Sequence, residues 1–214
     1  HPFAVRFVSA NPAVRMAVSL PLSARRERMD LLHTQYHLPA GLPCPGVVTV
    51  HDVAFVAYPG CFPPGERLKM VVSVRRALRR AAAIVTVSEF SREEIVRWCP
   101  QAGGKVVVIP NGVDQAFRRP NRPPSDEELA KFGIRRPFIL SVGNLQPRKN
   151  LRRLLSAYLE IRRRGHRCHL VVVGRKLWLY DDFFADLRRS PYGQDIVLTG
   201  YLRDDALAVL YAGA

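Results

Sequence analysis

Two adjacent cations, Arg148 and Lys149, stand between the apolar run Phe138–Val142 and a stretch of helical periodicity that opens at Leu151. The chemistry such a pair can do is anion binding. The run FILSV reads as a strand buried on both faces. Gly143 ends it, and Pro147 rules out a regular helix across the turn that follows. From Leu151 the apolar residues recur at Leu154, Leu155, Tyr158 and Ile161, one face of a helix, with Asn150 as its expected N-cap and Gly165 as its stop. The two cations therefore belong to a strand-to-helix turn, beside backbone N–H groups that no helix hydrogen bond uses. An anion placed there meets the positive end of the helix dipole and two mobile charges. A phosphate or diphosphate suits the place; the alternative is that both side chains merely point into water.

The rest of the chain supplies elements of the same kind. Short apolar runs at 47–50, 84–87, 106–109, 138–142, 170–173 and 196–199 end respectively at His51-Asp52, Ser88, Pro110-Asn111-Gly112, Gly143-Asn144, Gly174-Arg175 and Gly200. Helical or loop segments separate most of them. The pattern predicts an α/β fold, a mostly parallel sheet with crossover helices on both faces. Ligands of such sheets gather beyond the carboxyl ends of the strands. Residues 65–83 predict a helix with Met70, Val71, Val74, Ala77, Leu78 and Ala81 on one face, Lys69, Arg76 and Arg80 on the other, and Arg75 and Arg79 at its border. Such a helix either packs on the sheet as an ordinary surface helix or also touches anionic lipid. Ser91 with Glu94 reads as a capping box. Residues 4–9 and 16–22 read as short strands around an Asn11-Pro12 turn, with another short strand at 30–33.

Residues 115–136, punctuated by Pro120, Pro123 and Pro124, read as a linker holding one short helix capped by Ser125. The predicted organisation is a first domain at 1–114, the linker at 115–136 and a second domain at 137–214. Of 214 residues, 48% are hydrophobic and 24% charged, which suits a globular protein. No apolar run reaches the roughly 18 residues that a membrane helix needs. Four scattered cysteines without a CxxC pair argue against a zinc ribbon or a disulfide framework, and His166, Cys168 and His169 are too crowded for a metal site and read as a solvent-facing His pair. The expected setting is cytoplasmic, with a peripheral position at the inner face of the membrane open as a refinement. A net charge of +15 allows nucleic acid, an anionic membrane surface or a phosphorylated small molecule as partner. No nucleic-acid-binding pattern accompanies the charge, so nucleic acid is not expected.

Several stretches together carry a family resemblance. VVTVHDVAFVAYPGCF (47–62), AAIVTVSEFSREEI (82–95) and KVVVIPNGVDQAF (105–117) resemble the first half of family 4 glycosyltransferases. FILSVGNLQPRKNLRRLLSAY (138–158), HLVVVGRKLWLY (169–180) and IVLTGYLRDDALAVLYAGA (196–214) resemble the second half. The matches follow the family's order over roughly residues 30–214. The resemblance implies two Rossmann-like domains of the GT-B type. It also implies transfer of a sugar from a nucleotide-diphosphate donor to a saccharide or lipid-linked acceptor, with retention at the anomeric carbon and without a metal or other cofactor. Under it Arg148 and Lys149, with Gly143 and Asn144, bind the donor diphosphate. His51 becomes the catalytic candidate, facing the donor sugar, and Asp52, Ser88, Asn111 and Gly112 shape the cleft.

Two departures qualify the resemblance. Asn144 stands where some relatives carry an arginine, so part of the diphosphate grip must differ. The family's Glu-x7-Glu segment and its glycine-rich first turn have no counterpart here. Both domains are therefore expected to be incomplete, and the chain alone is expected to be inactive, as an internal fragment exposing apolar sheet edges. The rival readings are a non-catalytic anion- or membrane-surface-binding module of the same fold and a GT-B-type nucleotide-sugar epimerase.

Overall fold

β-Branched runs bounded by glycine or polar residues form parallel strands throughout the computed structural model, which describes residues 4–118, 122–178 and 181–214. Pro120 and the last two residues of the HLVVVGRKLWLY stretch, Leu179 and Tyr180, lie outside the described residues. The chain divides into two units, His1–Asn111 and Gly112–Ala214.

The first unit carries a parallel sheet in the order β1 (Leu32–Gln35), β2 (Gly46–Thr49), β3 (Ala83–Thr86), β4 (Val106–Val108). Its helices, in chain order, are α1 (Leu20–Arg26), α2 (Ala54–Ala57), α3 (Pro64–Arg80) and α4 (Glu89–Trp98). Val48 and Ile84, register partners on β2 and β3, are fully buried with Val50, Val74, Leu78 and Ile95. Sheet and helices thus close one apolar core, as the spacing on α3 requires.

The amino terminus departs from the strands that its sequence predicts. Residues 4–9 form no strand, and residues 16–22 are helical. Asn11 accepts from the N–H groups of Ala13 and Val14 at 2.9 and 3.3 Å, and Pro12 follows it. Asn-Pro here is an N-cap with proline in the first turn, a helix start instead of a chain reversal. The helix widens to π spacing over Arg15–Ser19, directly ahead of Pro21, which has no N–H to donate.

Ser91 is likewise not the cap of α4. Ser88 is, its hydroxyl accepting from the Ser91 N–H at 3.1 Å. Ser88→Ala is expected to cost about 1 kcal/mol in urea unfolding of this unit; an unchanged midpoint would remove the cap from the picture.

The second unit carries β5 (Phe138–Val142), β6 (His169–Val173) and β7 (Ile196–Gly200), parallel and in that order. Its helices are α5 (Asp126–Ala130), α6 (Leu151–Arg163), α7 (Asp181–Arg188) and α8 (Asp204–Gly213). Alternation along β6 sorts two cores. Leu170 and Val172 pack with Leu151, Leu155, Tyr158 and Phe183, whereas Val171 and Val173 pack with Leu129, Ile134 and Leu210. Both faces of this sheet are therefore covered, the reason β6 is apolar at every position from Leu170 to Val173.

Leu129 and Ile134 come from the stretch expected to be a linker. The Ser125–Glu128 capping box starts α5 as expected, and Arg136 donates to the carbonyls of Pro124 and Gly213 at 2.5 and 3.1 Å. Residues 122–136 thus contribute to the packing of the second unit. The prolines set turns there, while the apolar residues between them supply buried surface.

At the opposite end of β6, His169 does not face solvent. Its side chain is 15% exposed, and Nδ1 accepts from the Arg135 N–H at 3.2 Å. His166 is exposed. Asp195 meets Arg162 at 2.7 Å, and Arg162 also donates to the Tyr158 hydroxyl and the Cys168 carbonyl. These groups tie α6 to the start of β6.

Candidate functional site

Gly143, Gly174 and Gly200 stand at the carboxyl ends of β5, β6 and β7, with φ of 148°, 152° and 71°. They let the backbone turn away at adjacent strand ends, where side chains would crowd. A Cβ on Gly174 would overlap the Gly143 carbonyl, lying 2.6 Å from its carbon and 3.0 Å from the Asn144 nitrogen. Beyond the two glycines the chains pair again: the Leu145 N–H donates to Arg175 O at 2.8 Å, and the Leu177 N–H to Leu145 O at 3.1 Å. The Asn144 side-chain oxygen accepts from the Arg175 N–H at 3.3 Å.

The turn into α6 is one tight helical turn, Pro147–Lys149, with proline at its start. Asn150 then takes a left-handed conformation, φ 52°, and its side chain makes no cap hydrogen bond. The expected N-cap is thus replaced by a backbone kink at asparagine, which tolerates that conformation. The kink leaves the N–H groups of Leu151 and Arg152 without a backbone acceptor among the described residues; those of Arg153 and Leu154 bond Asn150 O. Lys149 folds back over the strand end. A Cβ on Gly143 would lie 2.9 Å from the Lys149 Cε and 3.3 Å from its Nζ. The ammonium, the glycine and the open end of α6 therefore share one small region, and Asn144 adjoins it in sequence. Arg148 lies in the same turn.

Beyond Gly174, Arg175 stands at a strand end that the sequence marks for ligand binding, without a role of its own. Arg175 stacks on Tyr201 at 4.4 Å from the ring centre, and Lys176 on Phe184 at 4.3 Å. A pocket of about 480 Å³ opens between the ends of β6 and β7, lined among others by Leu145, Gly174, Arg175, Lys176 and Thr199. The Gly174-Arg175 strand end is the visible signal; the aromatic partners, distant in sequence, are not.

In the first unit, His51 and Asp52 follow β2 and Ser88 follows β3. His51 is half-buried, its ring 5.8 Å from that of Tyr36 and tilted by 48°. Asp52 accepts from the Ala54 N–H at 3.0 Å, which starts α2. His33 meets the Thr49 hydroxyl at 2.8 Å. Asn111 and Gly112 are exposed and flank the division between the units.

Burial lowers the pKa of His37 from its usual 6.5, and its buried Nδ1 has no hydrogen-bond partner among the described residues. A proton there would add a charge in a half-desolvated place. The folded state resists that proton while the unfolded chain takes it at about 6.5. The resulting stability is present above pH 6.5 and declines as pH falls below it. His37→Gln is expected to flatten the pH dependence of the unfolding midpoint between about pH 7 and 5; an identical slope in the variant would count against this assignment.

A family-level comparison matches residues 2–117, more than half of the chain, to Glycosyltransferase Family 4. The chain belongs to that family. As a Glycosyltransferase Family 4 chain it is 29% identical over 198 residues to O-antigen chain mannosyltransferase B of Escherichia coli, covering 89% of this chain and 51% of that protein. It is 28% identical over 140 residues to the serotype-specific mannosyltransferase WbdA of Escherichia coli, covering 62% of this chain and 17% of WbdA. The chain thus spans about half the length of the first of these relatives and much less of the second. Among solved structures it resembles a glycosyltransferase of Rickettsia africae ESF-5, with TM-score 0.62, 18% identity, and coverage of 99% of this chain and 57% of that one. It also resembles HepE of Anabaena in complex with UDP and glucose, with TM-score 0.63, 18% identity, and coverage of 90% and 53%. The likeness establishes the fold: Rossmann-like domains of the GT-B type.

Proposed function

We propose that this family 4 chain belongs to a glycosyltransferase that moves a sugar from a nucleoside-diphosphate donor to a saccharide or lipid-linked acceptor in polysaccharide assembly. Transfer retains the anomeric configuration and needs no metal. The observation that carries the reading is Lys149 folded over Gly143 beside the open N–H groups of Leu151 and Arg152. As the bond from the anomeric carbon to the diphosphate breaks, negative charge builds on the departing oxygen. A fixed ammonium and aligned N–H groups stabilise that charge more than they stabilise the bound donor. Arg148 supplements the ammonium, and Asn144, whose carbonyl oxygen is engaged by Arg175, keeps its amide N–H groups for a phosphate oxygen. His51 hydrogen-bonds the donor sugar or takes charge near the reacting centre, while Asp52, Ser88, Asn111 and Gly112 shape the surroundings.

Support comes from the mannosyltransferase names of the Escherichia coli relatives and from the UDP and glucose in the HepE complex. The test incubates the complete gene product with nucleoside-diphosphate mannose or glucose and a saccharide acceptor. Release of nucleoside diphosphate is expected, undiminished by a chelator, with a product of retained configuration. A requirement for added divalent metal, an inverted product or an untouched donor would overturn the reading.

A further inference from the structure

The backbone around His51 is fixed on both sides. Val50 is fully buried and its N–H donates to Val85 O at 2.8 Å, while Asp52 accepts from the Ala54 N–H at 3.0 Å. The imidazole is held differently. Among the described residues it makes no hydrogen bond or ion pair, and its ring contact is with Tyr36, 5.8 Å between centres and tilted by 48°. Both ring nitrogens are thus left for a ligand, and nothing polar on the protein sets the ring's orientation.

Tyr36 reaches that place through a strained turn at the end of β1. Three non-glycine residues of the described chain take a positive φ: Arg28, just past α1, Asn150, ahead of α6, and Tyr36, at 59°. Asparagine tolerates that region, whereas a bulky aromatic residue rarely enters it. Hydrogen bonds on either side impose it here. The Tyr36 N–H donates to Thr49 O at 2.9 Å, one step beyond the last register pair of β1 and β2, Gln35 with Thr49. The His37 N–H donates to Gln35 O at 2.6 Å, closing a three-residue turn centred on Tyr36. The Thr34 hydroxyl then donates to the His37 carbonyl at 2.6 Å, and the tyrosine ring packs in part on the core of the first unit. Strain of this kind persists only where the surroundings impose it, and it concentrates at functional sites.

We propose that Tyr36 is a positioning residue for sugar transfer: its ring, fixed by the turn after β1, holds the His51 imidazole in the orientation that presents its nitrogens to the sugar. This role rests on the part given to His51 under the proposed function. A ring-on-ring contact orients the imidazole without occupying either nitrogen, as a hydrogen-bonding partner would. The imidazole is then ordered before the donor arrives, so its rotation need not be stopped during the reaction.

The test is a double-mutant cycle on the complete enzyme, with nucleoside-diphosphate mannose or glucose as donor. Tyr36→Leu keeps apolar bulk and removes the ring, and is expected to lower kcat by on the order of tenfold. Tyr36→Asn, whose residue type suits the turn, should show a similar loss even if the leucine variant folds poorly. Tyr36→Phe retains the ring and is expected to stay within about twofold. In a His51→Ala background the loss from Tyr36→Leu should shrink to within about twofold, because the ring then has no imidazole to hold. A second readout needs no substrate. The His51 ring-proton resonance, assigned by its disappearance in His51→Ala, is expected to move in Tyr36→Leu and Tyr36→Asn and to stay in place in Tyr36→Phe. Full turnover by His51→Ala would end the part given to His51 and, with it, this role of Tyr36. If His51→Ala is impaired but Tyr36→Leu and Tyr36→Asn are not, or if Tyr36→Leu costs as much without His51 as with it, the positioning role alone is overturned. An unmoved His51 resonance in the leucine and asparagine variants overturns it as well.

Discussion

Lys149→Ala is expected to lower kcat of the complete enzyme by on the order of 10²-fold or more, with a much smaller change in KM for the donor. The asymmetry follows from where the charge develops. The bound donor already carries its diphosphate charges, but the charge on the bridging oxygen appears only as the glycosidic bond breaks. The turn itself should survive the substitution, because the Lys149 and Asn150 N–H groups donate to the Gln146 and Pro147 carbonyls at 3.0 and 2.9 Å through the backbone. Gly143→Ala gives an independent check. Its Cβ would displace the end of Lys149 and should reduce kcat without removing the ammonium. Steady-state kinetics of both variants decide the point; near-normal turnover of Lys149→Ala would count decisively against the oxyanion role.

The second large effect is on stability. Gly174→Ala is expected to destabilise the second unit by about 3 kcal/mol or more. Two costs add there: a φ of 152° that a side chain rarely adopts, and a Cβ driven into the Gly143 carbonyl. The obstacle is backbone pinned on both sides, since the Gly143 N–H donates to Val173 O and the Gly174 N–H to Gly200 O, each at 2.9 Å. No side chain can swing aside to make room. Gly165, at φ 90° with nothing within 4 Å of its would-be Cβ, is the control: alanine there should cost only about 1–2 kcal/mol, the backbone strain alone. Urea unfolding of the two variants separates them, and equal losses would mean that the close approach of the strand ends costs little.

Much of this arrangement is legible in the amino-acid sequence. β5 falls on the expected residues, and β2, β3, β4, β6 and β7 within one residue at either end, because a two-sided buried strand needs an unbroken apolar run and a glycine or polar stop. The site is half legible. Gly143, Asn144 and Lys149 are neighbours in sequence, so their turn can be read; the contact of the Lys149 ammonium with Gly143 cannot. Arg175 with Tyr201 and His51 with Tyr36 join residues from different strand ends, and nothing local announces such pairs. The amino-terminal helix escapes a sequence reading because Asn-Pro opens turns and helices alike, and only the Ala13 and Val14 N–H groups on Asn11 distinguish them. Asn150 has the residue type of a cap; its φ of 52° shows the chain using asparagine's other aptitude.

The most direct test of diphosphate binding at the opening of α6 is a structure of the complete enzyme with a nucleoside diphosphate bound. The terminal phosphate is expected within about 3 Å of the Lys149 ammonium and of the Leu151 and Arg152 N–H groups. A diphosphate held elsewhere, with Lys149 turned to bulk water, would contradict the mechanism and leave only the layered α/β framework standing.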